Sequence, residues 1–303
     1  MRPLQALLVV ALVAGTIGCS LIGKSTDNRP ATTIQKVSSE QLVKYLNERA
    51  SRLQAINSDV RFTAHDGLLS MSLHGDLSAA QQRFFRMTGK GAVGGSVDLG
   101  SNNEQFWIYV DAPTQKPLFV YASHTDFESG RAKLPGNLPF EPEWVMQALG
   151  MHTFPPNTHY NEPKINPSER TYTLSWNANT PNGMAIQKEV VFEAEEARGD
   201  KPQVKKHLIR DSKNKVICSA EIKSVQAVPI PGPDARSAQI SVQYPTHILL
   251  RWEAQKFELD LKLSNVQVNQ RFTDEQARRI FSRPPDTASA PALDLAKYEF
   301  SIR

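Results

Sequence analysis

The sequence has little cysteine and no strong excess of charge of either sign. Its 303 residues include only two cysteines, Cys19 and Cys218, which excludes the disulfide framework of small secreted domains. The 35 basic and 31 acidic residues are interspersed, so the clustered basic surface of a nucleic-acid-binding protein is also excluded. The pI of about 9.0 indicates only a weak attraction to anionic lipid surfaces.

Long apolar runs are also missing, apart from one short run at the start of the chain. Arg2 is followed by an uncharged stretch from Leu4 to Ile17, and Gly18 directly precedes Cys19. A basic start, a short apolar segment and a small residue before the cleavage point are typical of a secretory signal. The run is too short to cross a hydrocarbon core of about 30 Å as a helix. We therefore expect residues 1–18 to be a signal peptide.

The end of this segment, Thr16-Ile17-Gly18-Cys19, resembles the lipobox of bacterial lipoproteins. The resemblance implies that the Cys19 sulfur carries a diacylglyceryl group and that this lipid is the membrane attachment. Serine at position 20 implies transfer to the outer membrane, with the protein facing the periplasm. Two alternatives stay open, an ordinary secretory signal with a coincidental cysteine and an uncleaved anchor. Cys218 lies on the apolar side of a predicted strand, which favours a buried structural thiol.

An amphipathic helix is predicted after a polar tether at residues 19–37. Ser38 is a candidate N-cap, and Gln41 three residues later completes a capping box. A mostly apolar stripe follows at four- and three-residue spacing, and its members are Leu42, Leu46, Arg49, Leu53 and Ile56. Such a helix needs an apolar surface that another part of the chain supplies.

Beyond this helix, apolar and polar residues alternate in short runs separated by turn residues, which predicts an antiparallel meander. In the run around residues 106–110, Trp107 and Tyr109 would share one face, while Ile108 and Val110 share the other. Bulky residues on both faces indicate a sheet that is covered on both sides or curls around a cavity.

Local signals add two short helices and a strand irregularity to the meander. Pro142 can begin one helix and Gly150 can end it, and Thr273 with Gln276 at the third position predicts the start of another. The alternation of the C-terminal block changes phase near Ser264-Asn265, which predicts a β-bulge. The chain shows no internal repeat, and we expect a single domain.

The common catalytic and cofactor motifs are absent. The sequence has no Gly-x-Ser-x-Gly, no His-Glu-x-x-His and no Walker-type glycine loop. His152, His159 and Glu162 lie near one another without the ligand spacing of a zinc site. The oxygen-bearing residues between Asp98 and Glu104 lack the spacing of a calcium loop, which favours a hydrogen-bonded turn. We therefore predict no catalytic residue, no metal, no cofactor and no enzymatic activity.

The order of these features resembles the lipoprotein carrier and receptor family of the Lol pathway, LolA and LolB. The similarity in residues is concentrated at Tyr244-Pro245, the strand from Phe257 to Leu263, Asn265-Val266, Val268-Asn269, Phe281 and Pro284. The resemblance implies a mainly β (α+β) fold, in which a curved antiparallel sheet forms an incomplete β-barrel around an apolar cavity and helices form a lid. It covers residues 38–284 and leaves residues 285–303 as a C-terminal tail. The expected anchor makes the receptor the nearer analogue.

The bulky apolar residues carry the prediction of a site. One interpretation is core packing, and the other is a cavity wall for acyl chains, to which each buried CH₂ contributes about 0.8 kcal/mol. The candidate wall residues are Phe85, Met87, Trp107, Tyr109, Trp144, Trp176 and Trp252. We expect a lipid-anchored envelope protein that binds a lipid, an acylated peptide or another apolar ligand in lipoprotein or lipid handling. The alternative is a packed scaffold lipoprotein that mediates protein–protein interactions in an envelope complex, with no partner identified.

Overall fold

The structure, a computed structural model, describes residues 34–66, 69–113, 116–134, 142–194, 203–230, 240–270, 272–286 and 290–298. The expected signal peptide, the expected acylation site Cys19 and the tether up to residue 33 lie outside these ranges. Within them, no helix combines the length and the apolar character needed to cross a membrane.

Three of the described helices begin where the sequence predicted, at Ser38, Pro142 and Thr273, and a further short helix, capped by Ser123, was not predicted. Their bounds are α1 (Ser39–Ser51), α2 (His124–Glu128), α3 (Pro142–Ala148) and α4 (Asp274–Ile280). Ser38 and Gln41 form the predicted capping box of α1, in which the Ser38 backbone N–H donates to the Gln41 side chain at 2.9 Å. Thr273 and Gln276 form the same arrangement at α4. Both boxes satisfy backbone N–H groups that have no partner within the helix.

Among the described residues, the strands form a single fourteen-stranded sheet. Their bounds are β1 (Ala55–Asp66), β2 (Leu69–Ala80), β3 (Phe84–Lys90), β4 (Ser96–Ser101), β5 (Gln105–Asp111), β6 (Leu118–Ser123), β7 (Lys164–Asn166), β8 (Thr171–Asn179), β9 (Ala185–Glu193), β10 (Gln203–Asp211), β11 (Val216–Ile230), β12 (Ile240–Trp252), β13 (Phe257–Val268) and β14 (Leu293–Asp294). The strand order is β14-β6-β5-β4-β3-β2-β1-β13-β12-β11-β10-β9-β8-β7. The neighbours are antiparallel, except that β14 runs parallel to β6.

The sheet is open, because β7 and β14 stand at opposite ends of the strand order of the described residues. The predicted fold class, a mainly β chain whose antiparallel sheet forms an incomplete barrel, is confirmed. The two halves of the sheet meet where β1 pairs with β13, with Phe62 opposite Leu261. The predicted bulge is also confirmed: the register shifts opposite Asn265, which has a φ of 52° and whose Nδ2 donates to Asp59 Oδ2 at 2.6 Å.

One apolar core joins strands from β9 round to β4 with α3, so the sheet curves about this short helix. Trp144, Val145 and Leu149 of α3 are buried in that core. Cys218 on β11 is fully buried there, as its position on the apolar side of the strand predicted. The concave face is therefore filled by α3 over part of its area.

Helix α1 covers a second apolar cluster on β8 and β9. Leu42, Val43 and Leu46 are buried against Leu174 and Phe192 of those strands. This contact supplies the apolar surface that the amphipathic sequence of α1 required.

The outer face of β3–β6 is covered by residues 272–286 and 290–292, which we call the C-terminal strap. Arg86 on β3 forms an ion pair with Asp98 at 2.6 Å and donates to the carbonyl oxygen of Ile280 at 2.8 Å. The guanidinium of Arg283 stacks on Tyr121, 4.3 Å from the ring centroid. Further along the chain, Leu293 and Leu295 pack with Phe106 on the other face, which also carries Ile108. The described part of the segment expected to be a tail thus packs on the sheet.

Candidate functional site

A cavity of about 530 Å³ lies between α3 and the concave face of the sheet. Strands β1, β3–β5, β12 and β13 contribute alternate residues to its wall, because side chains two positions apart point to the same face of a strand. Strand β2 contributes the consecutive residues 70–73 and Leu77. Phe62, Leu99 and Val110 are examples from β1, β4 and β5, and Val145 and Leu149 of α3 close the opposite side. The volume lies within the range of about 300–1,000 Å³ found for small-molecule sites.

The wall of this cavity is almost entirely apolar. Among the described residues, Ser70 and Ser72 are the only lining residues with a polar side chain, and none is charged. Trp252 also lines the cavity, and its buried Nε1–H has no hydrogen-bond partner among the described residues. Such a wall cannot compensate an ionised group, but it can bury hydrocarbon.

The floor of the cavity depends on a glycine. A Cβ at Gly89 would lie 2.5 Å from Cε1 of Phe62 and 3.2 Å from Cβ of Leu73. The absence of a side chain lets the Phe62 ring lie against β3. Any larger residue would push that ring into the cavity, so the glycine keeps the space open.

The cavity reaches the surface at the turn between β3 and β4. Val93 lines the cavity and is 93% exposed. The turn relies on Gly94 and Gly95, whose φ angles of 99° and 87° are strained for other residues. The turn therefore holds an apolar side chain in solvent at the rim.

Three of the candidate wall residues lie at this cavity, and a fourth lies directly behind it. Phe85, Met87 and Trp252 line the cavity. Trp144 packs edge-on against Trp252 with 5.4 Å between ring centroids, and its neighbour Val145 faces the cavity instead.

Trp107 and Tyr109 lie on the outer face of β5, away from the cavity. The Trp107 indole packs over Gly100 and donates to Asp98 Oδ1 at 2.9 Å, and Tyr109 packs against Phe119. The alternation of residues along β5 correctly placed Trp107 and Tyr109 on the face opposite Ile108 and Val110. It does not predict which of the two faces is concave. The aliphatic face turns inward, and the aromatic face is covered by the C-terminal strap.

Trp176 belongs to the second apolar cluster, under α1. Its ring lies 5.7 Å from that of Phe154 and 5.5 Å from that of Tyr160, measured between centroids. The sequence prediction also missed other apolar residues of the wall, including Phe62, Leu99 and Val110. The alternation of these residues along their strands was the available signal, but the prediction was based on side-chain size and therefore favoured tryptophan.

The histidines do not form the zinc arrangement that the sequence analysis considered. His152 packs against the Phe154 ring, and burial lowers its pKa to about 4, while His159 and Glu162 are exposed. In the described part of the chain, one set of three possible metal-ligand atoms does lie within 4.8 Å of one another, and it belongs to His124, Glu128 and Glu143.

The guanidinium of Arg83 already lies against the two carboxylates of this set. Arg83 contacts Glu143 at 3.1 Å and Glu128 at 2.5 Å, so both carboxylates have a counter-charge. The ring Nε2 of His124 is 2.8 Å from the Asn102 carbonyl oxygen, and burial lowers the pKa of this histidine. The arrangement is that of an ion-paired surface cluster.

An open β-barrel wrapped around an apolar cavity is the architecture that the sequence resemblance implied. No protein-family model matches the sequence, and no curated protein matches it. Among solved structures, the chain is similar to a domain from Vibrio parahaemolyticus provisionally named an outer membrane lipoprotein-sorting protein, with 7% identity, 80% of this chain and 97% of that chain covered, and a TM-score of 0.49.

A LolA superfamily protein from Nitrosomonas europaea is 10% identical over 82% of this chain and 98% of its own, with a TM-score of 0.48. A DUF1329 family protein from Desulfovibrio piger is 11% identical over 77% and 95%, with a TM-score of 0.39. Each of these TM-scores is below 0.5 and each identity is at most 11%, so the likeness assigns neither a family nor a role to this chain.

Proposed function

We propose that this protein is a lipid-anchored protein of the cell envelope that binds the acyl chain of a lipid or of an acylated peptide and acts in lipoprotein or lipid handling. The cavity of about 530 Å³ with no charged lining residue among those described carries this proposal. The protein acts by binding and release, and the ligand leaves chemically unchanged.

The energetics of such a cavity suit a carrier or receptor. A ligand that buries about ten methylenes gains roughly 8 kcal/mol from apolar burial. Association costs about 4 kcal/mol or more in lost freedom of motion. The net affinity from the chain alone is therefore modest, which permits release to another site.

Polar groups of the wall add specificity for an acyl group over a plain hydrocarbon. The Ser70 and Ser72 hydroxyls line the cavity and can donate to the carbonyl oxygen of an ester or amide, which an alkane lacks. At the rim, the exposed Val93 offers apolar contact to an entering chain.

Two sequence features support the location. The lipobox-like residues 16–19 support acylation at Cys19, and the serine at position 20 supports transfer to the outer membrane. The packed-scaffold alternative requires a filled interior. The cavity argues against it.

The binding proposal is tested with full-length protein in detergent, by native mass spectrometry and by displacement of a fluorescent fatty-acid probe. We expect co-purified lipid and displacement that strengthens with the chain length of saturated fatty acids. A probe that does not bind, together with spectra free of lipid adducts, would reject the proposal.

The anchor is tested separately by changing Cys19→Ser in cells. We expect the wild-type protein to fractionate with membranes and to carry diacylglyceryl mass on its first tryptic peptide. The variant should lose both. Membrane association that survives the substitution would show that another segment holds the protein.

A further inference from the structure

The cavity between α3 and the concave face, which we call the acyl cavity, has an exposed end and a buried end. Along β2, Ser70 lines the cavity and is exposed, whereas Leu77 lines it and is only 1% exposed. A Cβ at Gly95 would lie 3.1 Å from the Met71 sulfur, so the turn that carries the exposed Val93 lies at the same end as the start of β2. A ligand therefore enters at this end and extends inward.

The long dimension of the acyl cavity matches one extended acyl chain. Ser70 and Leu77 are seven residues apart on β2, which corresponds to roughly 23 Å at the rise of a β-strand. Each carbon–carbon bond advances an extended chain by roughly 1.3 Å, since the bond length is about 1.5 Å and the angles are tetrahedral. A chain of about 16 carbons spans roughly 20 Å and therefore fits with its polar end at the mouth.

The volume of the acyl cavity admits one such chain but not two. An apolar cavity of about 150 Å³ holds one benzene molecule, which is about 25 Å³ for each carbon atom. At the same ratio, the acyl cavity of about 530 Å³ holds roughly 20 carbon atoms. A single palmitoyl or stearoyl chain fills this space, whereas a diacyl lipid brings a second chain of the same size.

The walls of the acyl cavity oppose its expansion. Glu143 at the start of α3 forms an ion pair with Arg83 at 3.1 Å, and Trp144 of the same helix is buried in the core. On the sheet side, the Phe62 ring already lies against β3 over Gly89, where a Cβ would be only 2.5 Å away. A second chain would therefore have to displace α3 from the sheet.

We propose that the acyl cavity accepts one acyl chain and so selects single-chain amphiphiles, such as a lysophospholipid or a monoacylated peptide, over diacyl and triacyl lipids. This inference rests on the function proposed above, because it specifies the ligand of the same cavity. No charged side chain lines the described wall, so the headgroup stays in water at the mouth. Selection therefore depends on the number of chains and not on the charge of the headgroup.

The hydrophobic effect makes this selection strong. Each methylene that is left in water weakens transfer out of a bilayer about fourfold. A diacyl lipid with one chain in the cavity would expose most of the other chain, and only four exposed methylenes weaken its transfer roughly 250-fold. The two-chain lipids around the expected anchor at Cys19 thus leave the cavity free for a single-chain ligand.

The test compares two lipids that share a headgroup. Full-length protein in digitonin, a steroid detergent without an acyl chain, is titrated with palmitoyl lysophosphatidylcholine or with dipalmitoyl phosphatidylcholine and followed by native mass spectrometry. We expect one lysolipid per protein at saturation and an affinity for the diacyl lipid that is at least about a hundredfold lower.

The outcomes separate this inference from the function on which it rests. Equal affinities for the two lipids, or two lysolipids bound per protein, would overturn the single-chain inference and leave acyl binding intact. If neither lipid binds and the fluorescent fatty-acid probe does not bind either, the proposed function itself is rejected.

A variant with a larger cavity provides an independent measurement, with lysophosphatidylcholines of increasing chain length as ligands. Leu99→Ala removes three carbon atoms from a half-buried residue of the wall, so the preferred chain should lengthen by about three carbons. The matched control Leu208→Ala changes a half-buried leucine of β10 that does not line the cavity, and it should keep the wild-type preference. A preference that shifts in both variants, or in neither, would overturn the inference that the cavity volume limits the ligand.

Discussion

Filling the acyl cavity from one strand should abolish tight binding of long-chain ligands. Val110 of β5 lines the cavity and is half-buried, opposite Val97 on β4 and Leu118 on β6. In the variant Val110→Trp, an indole enters space that the native side chain leaves open. Because it fills a cavity rather than a packed core, the variant should stay folded.

The size of the effect follows from the hydrocarbon displaced. If the indole excludes about four methylenes of the ligand, the lost burial is roughly 3 kcal/mol. A loss of this size corresponds to about a hundredfold weaker binding. Since the loss scales with the buried chain, a short fatty acid should be affected much less than a long one.

The assay is displacement of the fluorescent fatty-acid probe by a chain-length series, for wild type and variant. The matched control is Val191→Trp, which changes a half-buried valine of β9 that does not line the cavity. The control should bind like wild type. Equal losses in both variants, or an unchanged long-chain affinity in Val110→Trp, would refute the placement of the ligand.

Three further predictions concern stability. Gly100→Ala should destabilise the protein by about 1–3 kcal/mol in urea unfolding, because the new Cβ would lie 2.1 Å from Cζ2 of Trp107. An unchanged urea concentration at the unfolding midpoint would show that the Trp107 indole can move aside at no cost. Arg86→Met should lower the free energy of unfolding by on the order of 3 kcal/mol, because it leaves the largely buried Asp98 without its ion pair. It should also speed hydrogen exchange in α4; an unchanged exchange rate there would show that other contacts hold the C-terminal strap. His207 is neutral in the folded protein, where burial lowers its pKa to about 3 from 6.5 in the unfolded chain, so the free energy of unfolding should fall below pH 6.5 by up to ~1.4 kcal/mol per pH unit. Urea titrations at pH 7 and pH 5 measure this slope, and His207→Gln should flatten it.

Local features of the fold could be predicted from the sequence because their signals are local. The capping boxes at Ser38 and Thr273 and the bulge near Asn265 each depend on a few adjacent residues. The alternation on β5 likewise separated Trp107 from Val110. These signals set the ends of the elements and the faces of the strands.

The cavity wall could not be predicted because it depends on which face the sheet curves toward. Trp107 and Val110 obey the same alternation, and only the position of α3 and of the C-terminal strap decides which is inside.

The pairing of β1 with β13 has a consequence for how the molecule is made. Val60, near the start of the described chain, takes Leu263 as its neighbour, so nearly all of the polypeptide must be synthesised before this contact exists. Contacts so distant along the chain slow folding and leave unpaired strand edges open to wrong partners in the interval. A chaperone that covers the β1–β2 hairpin until β13 has been synthesised would therefore reduce incorrect strand pairing.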